Sequence, residues 1–273
     1  MTRLLLIFAA AVTALFALFP FYWAVITALR PEGAVLRLPL HYLPWPLSLH
    51  HIEMVFVKRD FLGYIANSLI VGIGATLLTL LLAALIAYAL RGMPLSRALR
   101  WQRWLLVFAI IPPTLLVIPF FLAVKGLGLI DHYAGVIAAY TLLNLPFGVW
   151  MLFAAYTQIP KALDEAARMD GFSHLSVIFR ILLPLSRPTL VTAGMLIFIF
   201  NWNEFLIALT LLPDPALHTV PVAIAMLSGA SVFELPWGEI NAAVTITTVP
   251  VILLVAFFQR WIVQGLTAGA VKG

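Results

Sequence analysis

Cysteine is absent from the sequence and charge is scarce: only 10% of its 273 residues are Asp, Glu, Lys or Arg. The first lack excludes disulfides, cysteine-held iron-sulfur clusters and thiol nucleophiles. The second excludes an ordinary soluble domain, because 63% of the chain is hydrophobic, more apolar surface than a fold of this length can bury. No Gly-x-x-x-x-Gly-Lys-Ser/Thr phosphate loop occurs, and Gly72-x-Gly74 lacks the strand and third glycine of a nucleotide-binding turn. A helical His-Glu-x-x-His is also missing, and no apolar run holds the paired aspartates or the serine with histidine that an intramembrane hydrolase requires.

What is present is a series of six apolar runs, each close to the roughly 20 residues that cross the hydrocarbon core. They extend from Leu4 to Leu29, Leu62 to Leu90, Trp104 to Val124, Tyr133 to Tyr156, Pro188 to Leu212 and Glu239 to Trp261. The expectation is an all-α, polytopic membrane protein with six transmembrane helices, occupying residues 1–273 as a single domain. The first run exceeds the roughly 7 to 15 residues of a secretory signal core, so an uncleaved first helix is expected.

The net charge of +5 lies in the gaps, which favours a topological role over nucleic-acid binding. Eleven of the sixteen cations fall on one side: Arg3, Arg91, Arg97, Arg100, Arg103, Lys161, Arg168, Arg180, Arg187, Arg260 and Lys272. Arg30, Arg37, Lys58, Arg59 and Lys125 take the other. The positive-inside rule then makes both termini cytoplasmic. The outer segment, residues 30–60, reads as an extended loop on the membrane surface. His50, His51 and Glu53 read as loop residues, not a metal site. Glu234 and Glu239, near Trp237, read as an outer rim or as solvated loop charges.

The most informative gap is residues 158–187, which reads as two short helices. Pro160 suits a helix start, Asp164 and Glu165 suit the positive end of the macrodipole, and Gly171 provides a stop. Lys161, Asp164, Glu165 and Arg168 share one face, and Ala162, Leu163, Ala166, Ala167 and Met169 the other. Asp170 falls on the apolar side. Ser173 is placed to cap a second helix, which Pro184 is expected to end. The shallow alanine face suits docking to a partner; an amphipathic loop lying on lipid is the competing reading.

The order Glu165-Ala166-Ala167, three residues, Gly171, nine residues, Ile181, one residue, Leu183-Pro184 resembles the EAA signature of ABC importer membrane subunits. Asn67-Ser68-Leu69, Ala87-Tyr88-Ala89-Leu90-Arg91, Leu127-Gly128-Leu129-Ile130-Asp131 and the tail from Gly265 to Gly273 are similar to the maltose and trehalose group of carbohydrate importers. The resemblance implies a type I importer permease fold and transport by alternating access. It also implies a second homologous permease subunit, two ATP-binding-cassette ATPases that hold the ATP and Mg, and an extracellular or periplasmic sugar-binding protein. Glu165 would make polar contact with an ATPase, Ala166 and Ala167 would allow close approach, Gly171 would permit the turn and Asp170 would support it. Phe172 departs from the small residue usual in the family. The sugar implied is a disaccharide such as maltose or trehalose, with glycerol-phosphate compounds behind it.

Inside the fifth run lie Asn201, Asn203 and Glu204, and a carboxylate at membrane depth costs on the order of 2.5 to 3.5 kcal/mol. Asn201 and Glu204 share a helix face and could line a sugar pathway or hold a neighbouring helix. Asn144, in the fourth run, is a further pathway candidate. An ion-coupled carrier would need more such groups and internal repeats. Pro112, Pro113 and Pro119 remove backbone donors from the third run and are expected to kink it.

Overall fold

The computed structural model describes residues 2–35, 42–227 and 235–270. Among them the chain is helical without strands: α1 Thr2–Ala28, α2 His50–Val57, α3 Phe61–Arg91, α4 Leu95–Ile110, α5 Pro113–Gly126, α6 Tyr133–Gln158, α7 Lys161–Met169, α8 His174–Leu185, α9 Arg187–Asn203, α10 Leu206–Leu211, α11 Val220–Ala225 and α12 Trp237–Ala270. His41, Glu234 and the last three tail residues lie outside the described residues.

Four helices are long and apolar enough to span a membrane, namely α1, α3, α6 and α12, and the number rises to six if each of the bent pairs α4–α5 and α8–α9 counts as one span. The third and fifth runs, expected to be continuous spans, are each broken. The third bends by 95° where Pro112 and Pro113 lack the donors that would carry the ladder onward. Its helix also begins earlier than Trp104, at Leu95, taking in three arginines assigned above to a loop. The fifth stops at Asn203 and restarts at Leu206. The segment 30–60 contains α2 and is not wholly extended.

By internal packing the chain forms two units, residues 1–65 with 222–251 and residues 66–221 with 252–273. The first is centred on Ala28, Val55, Phe61, Ala223, Leu227, Ala242 and Ala243, while α1 presents an unburied apolar surface. The second is built on α3, α6 and α9. Ala75, Ala83, Ala84 and Ala87 of α3 are fully buried, and a Cβ on Gly148 of α6 would meet the Ala83 methyl at 3.1 Å and Thr79 Cγ2 at 3.3 Å. Small residues let these helices approach closely, the source of association in lipid where burial alone gives no drive.

Candidate functional site

The chain leaves α6 through Ile159 and Pro160 and turns directly into α7. Pro160 has φ −55° and ψ 133°, so it stands just before the helix as its cap position and not within the first turn. At the other end Gly171 adopts φ +85°, with Gly171 N–H donating to Arg168 O at 3.1 Å and Phe172 N–H to Ala167 O at 3.0 Å. This paired closure needs a left-handed residue, which glycine takes without a Cβ penalty. Phe172 and Ala167 belong to the same apolar cluster, adding the hydrophobic contact that accompanies such a closure. The Asp170 carboxylate is exposed and makes no hydrogen bond among the described residues; the turn it was expected to support is closed by backbone bonds.

Ser173 Oγ accepts the Ser176 N–H at 3.3 Å and starts α8. Pro184 does not end that helix. Residues Ile178–Leu182 form a π turn, in which Leu183 N–H reaches Ile178 O, and Pro184 falls at the second position of the following turn, where its missing donor is tolerated. The helix ends at Ser186, where it meets α9 at 87°. Ile181 and Leu183 are half-buried against the core of this unit, and Pro184 is exposed.

One side chain fixes α7 in place. Arg91, in the last turn of α3, is 3% exposed. Its Nε donates to Asp164 Oδ2 at 3.0 Å, and its remaining nitrogens donate to Tyr156 O and to Pro160 O, the latter at 3.3 Å. The guanidinium thus adds a second donor to carbonyls at the end of α6 and at the α7 cap position while pairing with a carboxylate in the first turn of α7. One turn earlier, Tyr88 Oη and His174 Nδ1 share a hydrogen bond of 2.9 Å, so the end of α3 holds both α7 and the start of α8.

This pairing turns the helix about from the amphipathic reading. Asp164 points inward and Ala167 is buried, whereas Ala162, Leu163, Glu165, Ala166 and Met169 are exposed. A cleft of about 370 Å³ lies beside α7, lined in part by Tyr88, Arg91, Lys161, Glu165, Arg168 and His174. The outward surface therefore carries Ala162 and Ala166 between Leu163 and Met169, with Glu165 forming no ion pair among the described residues. Arg91 was counted in the sequence as a loop cation, and its position at the end of an apolar run was the only local sign of it.

A second polar group lies in the same unit. Glu204 is not mid-helix. It occupies the break after α9, where Oε1 accepts Ile207 N–H at 2.9 Å and Oε2 accepts Ala208 N–H at 3.1 Å and Tyr140 O–H at 2.7 Å. The carboxylate caps α10 within the fold, offsetting its desolvation with three donors and the positive end of a helix. Asn144 Nδ2 donates to Asn201 Oδ1 at 2.9 Å, and Asn201 Nδ2 donates to Thr76 Oγ1 at 3.3 Å. These residues join α3, α6 and α9 within the chain. Asn203 stands apart: it is exposed and its Nδ2 returns to Ile199 O at 2.7 Å. Tyr140 and Thr76 carry no local sequence signal for this role, since their partners are 64 and 125 positions away.

Near the start of α3, Asn67 donates to Ala216 O at 2.9 Å and His218 O at 3.0 Å and accepts from Tyr133 O–H at 2.7 Å, while Ser68 Oγ takes the Val220 N–H at 2.8 Å. The Asn-Ser pair thus anchors the segment that follows α10. In the other unit, Arg59 Nε donates to Glu239 Oε2 at 3.2 Å, and His50 pairs with Glu32 at 3.3 Å. His51 is buried beneath Gly238, its ring lying where a Cβ would stand. Burial, with the neighbouring His50, lowers its pKa below the ordinary 6.5, although Glu239 and Glu32 oppose the shift. No cluster of three or more metal-ligating side chains forms among the described residues.

Residues 80–268 match the model of the binding-protein-dependent transport system inner membrane component family. The chain belongs to this family. It is accordingly a multi-pass membrane transport component and not an enzyme. It is 35% identical to the trehalose/maltose transport system permease protein MalG of Thermococcus litoralis, over 99% of this chain and 97% of that one. It is 34% identical to the sulfoquinovosyl glycerol transport system permease protein SmoH of Agrobacterium fabrum, over 97% and 92%. Its fold matches a chain in the crystal structure of a bacterial ABC transporter involved in import of the acidic polysaccharide alginate, with a TM-score of 0.77 over 95% of each chain at 22% identity.

Proposed function

We propose that this chain is one of two homologous membrane subunits of an ATP-driven sugar importer in a bacterial cytoplasmic membrane. In this reading α7 lies on the cytoplasmic side and docks in a separate ATPase, while an extracellular or periplasmic binding protein delivers the sugar. ATP and Mg are held by two such ATPases, whose closing motion enters the membrane through α7 and drives alternating access. The observation that carries the reading is the anchoring of α7 by Arg91. A helix clamped to α3 and α6 while leaving Glu165 and Ala166 exposed can pass a push from outside into the spans.

The relatives support a carbohydrate or glycoside as cargo. Two of nearly equal identity carry different names, trehalose/maltose and sulfoquinovosyl glycerol, so identity at this level does not choose between them. We favour a disaccharide.

The test uses the absence of cysteine. Ala166→Cys creates a unique thiol, and in membranes of the whole importer it should cross-link to the ATPase. Glu165→Lys and Gly171→Trp should insert normally yet uncouple ATP hydrolysis from sugar uptake. A thiol that reacts only with lipid-phase reagents throughout turnover, with full uptake in both variants, would remove the coupling assignment. The sugar itself is read by screening the binding protein against a ligand panel.

A further inference from the structure

Helix α4 runs beside α6. Leu95 and Ala98 lie with Tyr156, Thr157 and Ile159 at the α7 end of α6, and Leu105 and Phe108 lie with Leu142, Leu143, Leu145 and Pro146 halfway along it. Ala98 and Gln102 are buried against the fold. Along the uncovered surface, character changes in order. Arg97, Arg100 and Arg103 are exposed, Trp101 and Trp104 stand among and just beyond them, and Val107, Phe108 and Ile110 follow.

These three arginines have no counter-charge among the described residues. No Asp or Glu occurs between Asp60 and Asp131, and none of the three forms an ion pair among the described residues. They occupy the first half of α4, where the helix dipole adds to their charge instead of offsetting it. Yet the stretch is regular helix, packed on one side by α6. From Arg97 to Arg103 the rise is about 9 Å, comparable to the headgroup layer on one side of a bilayer. Guanidinium, then indole, then aliphatic is the gradient met in passing from phosphate through the interface into hydrocarbon.

We propose that Arg97, Arg100 and Arg103, flanked by Trp101 and Trp104, form a binding surface for anionic phospholipid headgroups on the membrane face that carries α7. Naming that face cytoplasmic rests on the function proposed above; the lipid contact itself does not. Guanidinium groups take phosphate oxygens bidentately, and the indoles fix the depth at which they do so. The apolar surface beyond Trp104 selects lipid over the acidic patch of a protein, which would have no use for a hydrocarbon-facing continuation.

The experiment takes the whole importer in membranes of phosphatidylcholine mixed with phosphatidylglycerol and reads co-retained lipid by native mass spectrometry. The wild type should retain phosphatidylglycerol preferentially. With electrostatic attraction worth about fivefold per basic residue near such a surface, R97Q/R100Q/R103Q should reduce that preference by on the order of a hundredfold. R97K/R100K/R103K, which keeps the charge, should preserve most of it. Uptake by the glutamine variant should equal wild type in phosphatidylcholine alone and fall behind only when phosphatidylglycerol is present. Undiminished phosphatidylglycerol preference in the glutamine variant would overturn the proposal. So would equal loss in the lysine variant, or a defect confined to copurification of the ATPase, which would assign the surface to a protein. Failure of the wild-type chain to bring an ATPase would instead refute the importer reading and leave the lipid measurement intact.

Discussion

Replacing Asp164 with alanine tests whether α7 is clamped or merely adjacent. The change leaves the Arg91 guanidinium, 3% exposed, against carbonyls and without its carboxylate. Removing one member of a buried ion pair costs about 3 to 5 kcal/mol. Asp164 is 17% exposed and the two carbonyl bonds persist, so the lower end applies, about 3 kcal/mol. At 1.4 kcal/mol per decade, the ratio of docked to undocked α7 falls by roughly two orders of magnitude. Asp164→Asn keeps an acceptor and should lose less. Arg91→Met with Asp164→Leu removes both charges and should recover most of the docking, because an apolar pair of similar volume avoids the desolvation penalty. A spin label at Ala166→Cys reports the outcome as mobility, and the ATPase-to-transport ratio reports its consequence. Unchanged label mobility in Asp164→Ala, with transport still tied to hydrolysis, would refute the clamp.

Other perturbations probe different contacts. Glu204→Leu strips the α10 cap and leaves the Ile207 and Ala208 N–H groups without their acceptor and the Tyr140 hydroxyl with only the residue 204 carbonyl at 3.4 Å, at about 1 to 3 kcal/mol for each N–H left unsatisfied; Glu204→Gln should be milder, and thermal denaturation in detergent orders the two. Gly148→Leu should push α6 off Ala83 and Thr79 and lower the yield of folded protein, whereas Gly126→Leu, with open space at its Cβ position, should not. Because the folded pKa of His51 is depressed, its neutral form is favoured by folding; the contribution is complete above about pH 6.5 and is lost as pH falls through the lowered value. Proteolytic protection of the unit containing α2 should therefore weaken on acidification, and His51→Asn should flatten that dependence.

The six apolar stretches and the bounds of α7 were legible because both are written locally: run length gives the spans, and proline before with glycine after brackets the short helix. The Gly171 closure was readable for the same reason. What escaped was non-local. Asp164 sat with the charged residues on the helical wheel, and only a cation 73 positions upstream, Arg91, explains why it faces inward. The break at Glu204 gives no proline or glycine signal, and a carboxylate within an apolar run reads equally as pathway lining until its three donors are in view. Pro184 looked like a terminator since a π turn, which shifts the bonding by one residue, leaves no trace in composition.

The interruption between α9 and α10 means that the fifth apolar run is a jointed rod. No amide-to-carbonyl bond from α10 reaches back into α9; the nearest is the 3.4 Å contact from Glu204 N–H to Asn201 O. Displacement arriving along α9 must therefore pass to α10 by way of the connecting backbone, their common bed on α6, and one carboxylate gripping a phenol. A single oxygen lost from Tyr140 would slacken the joint without shortening either arm.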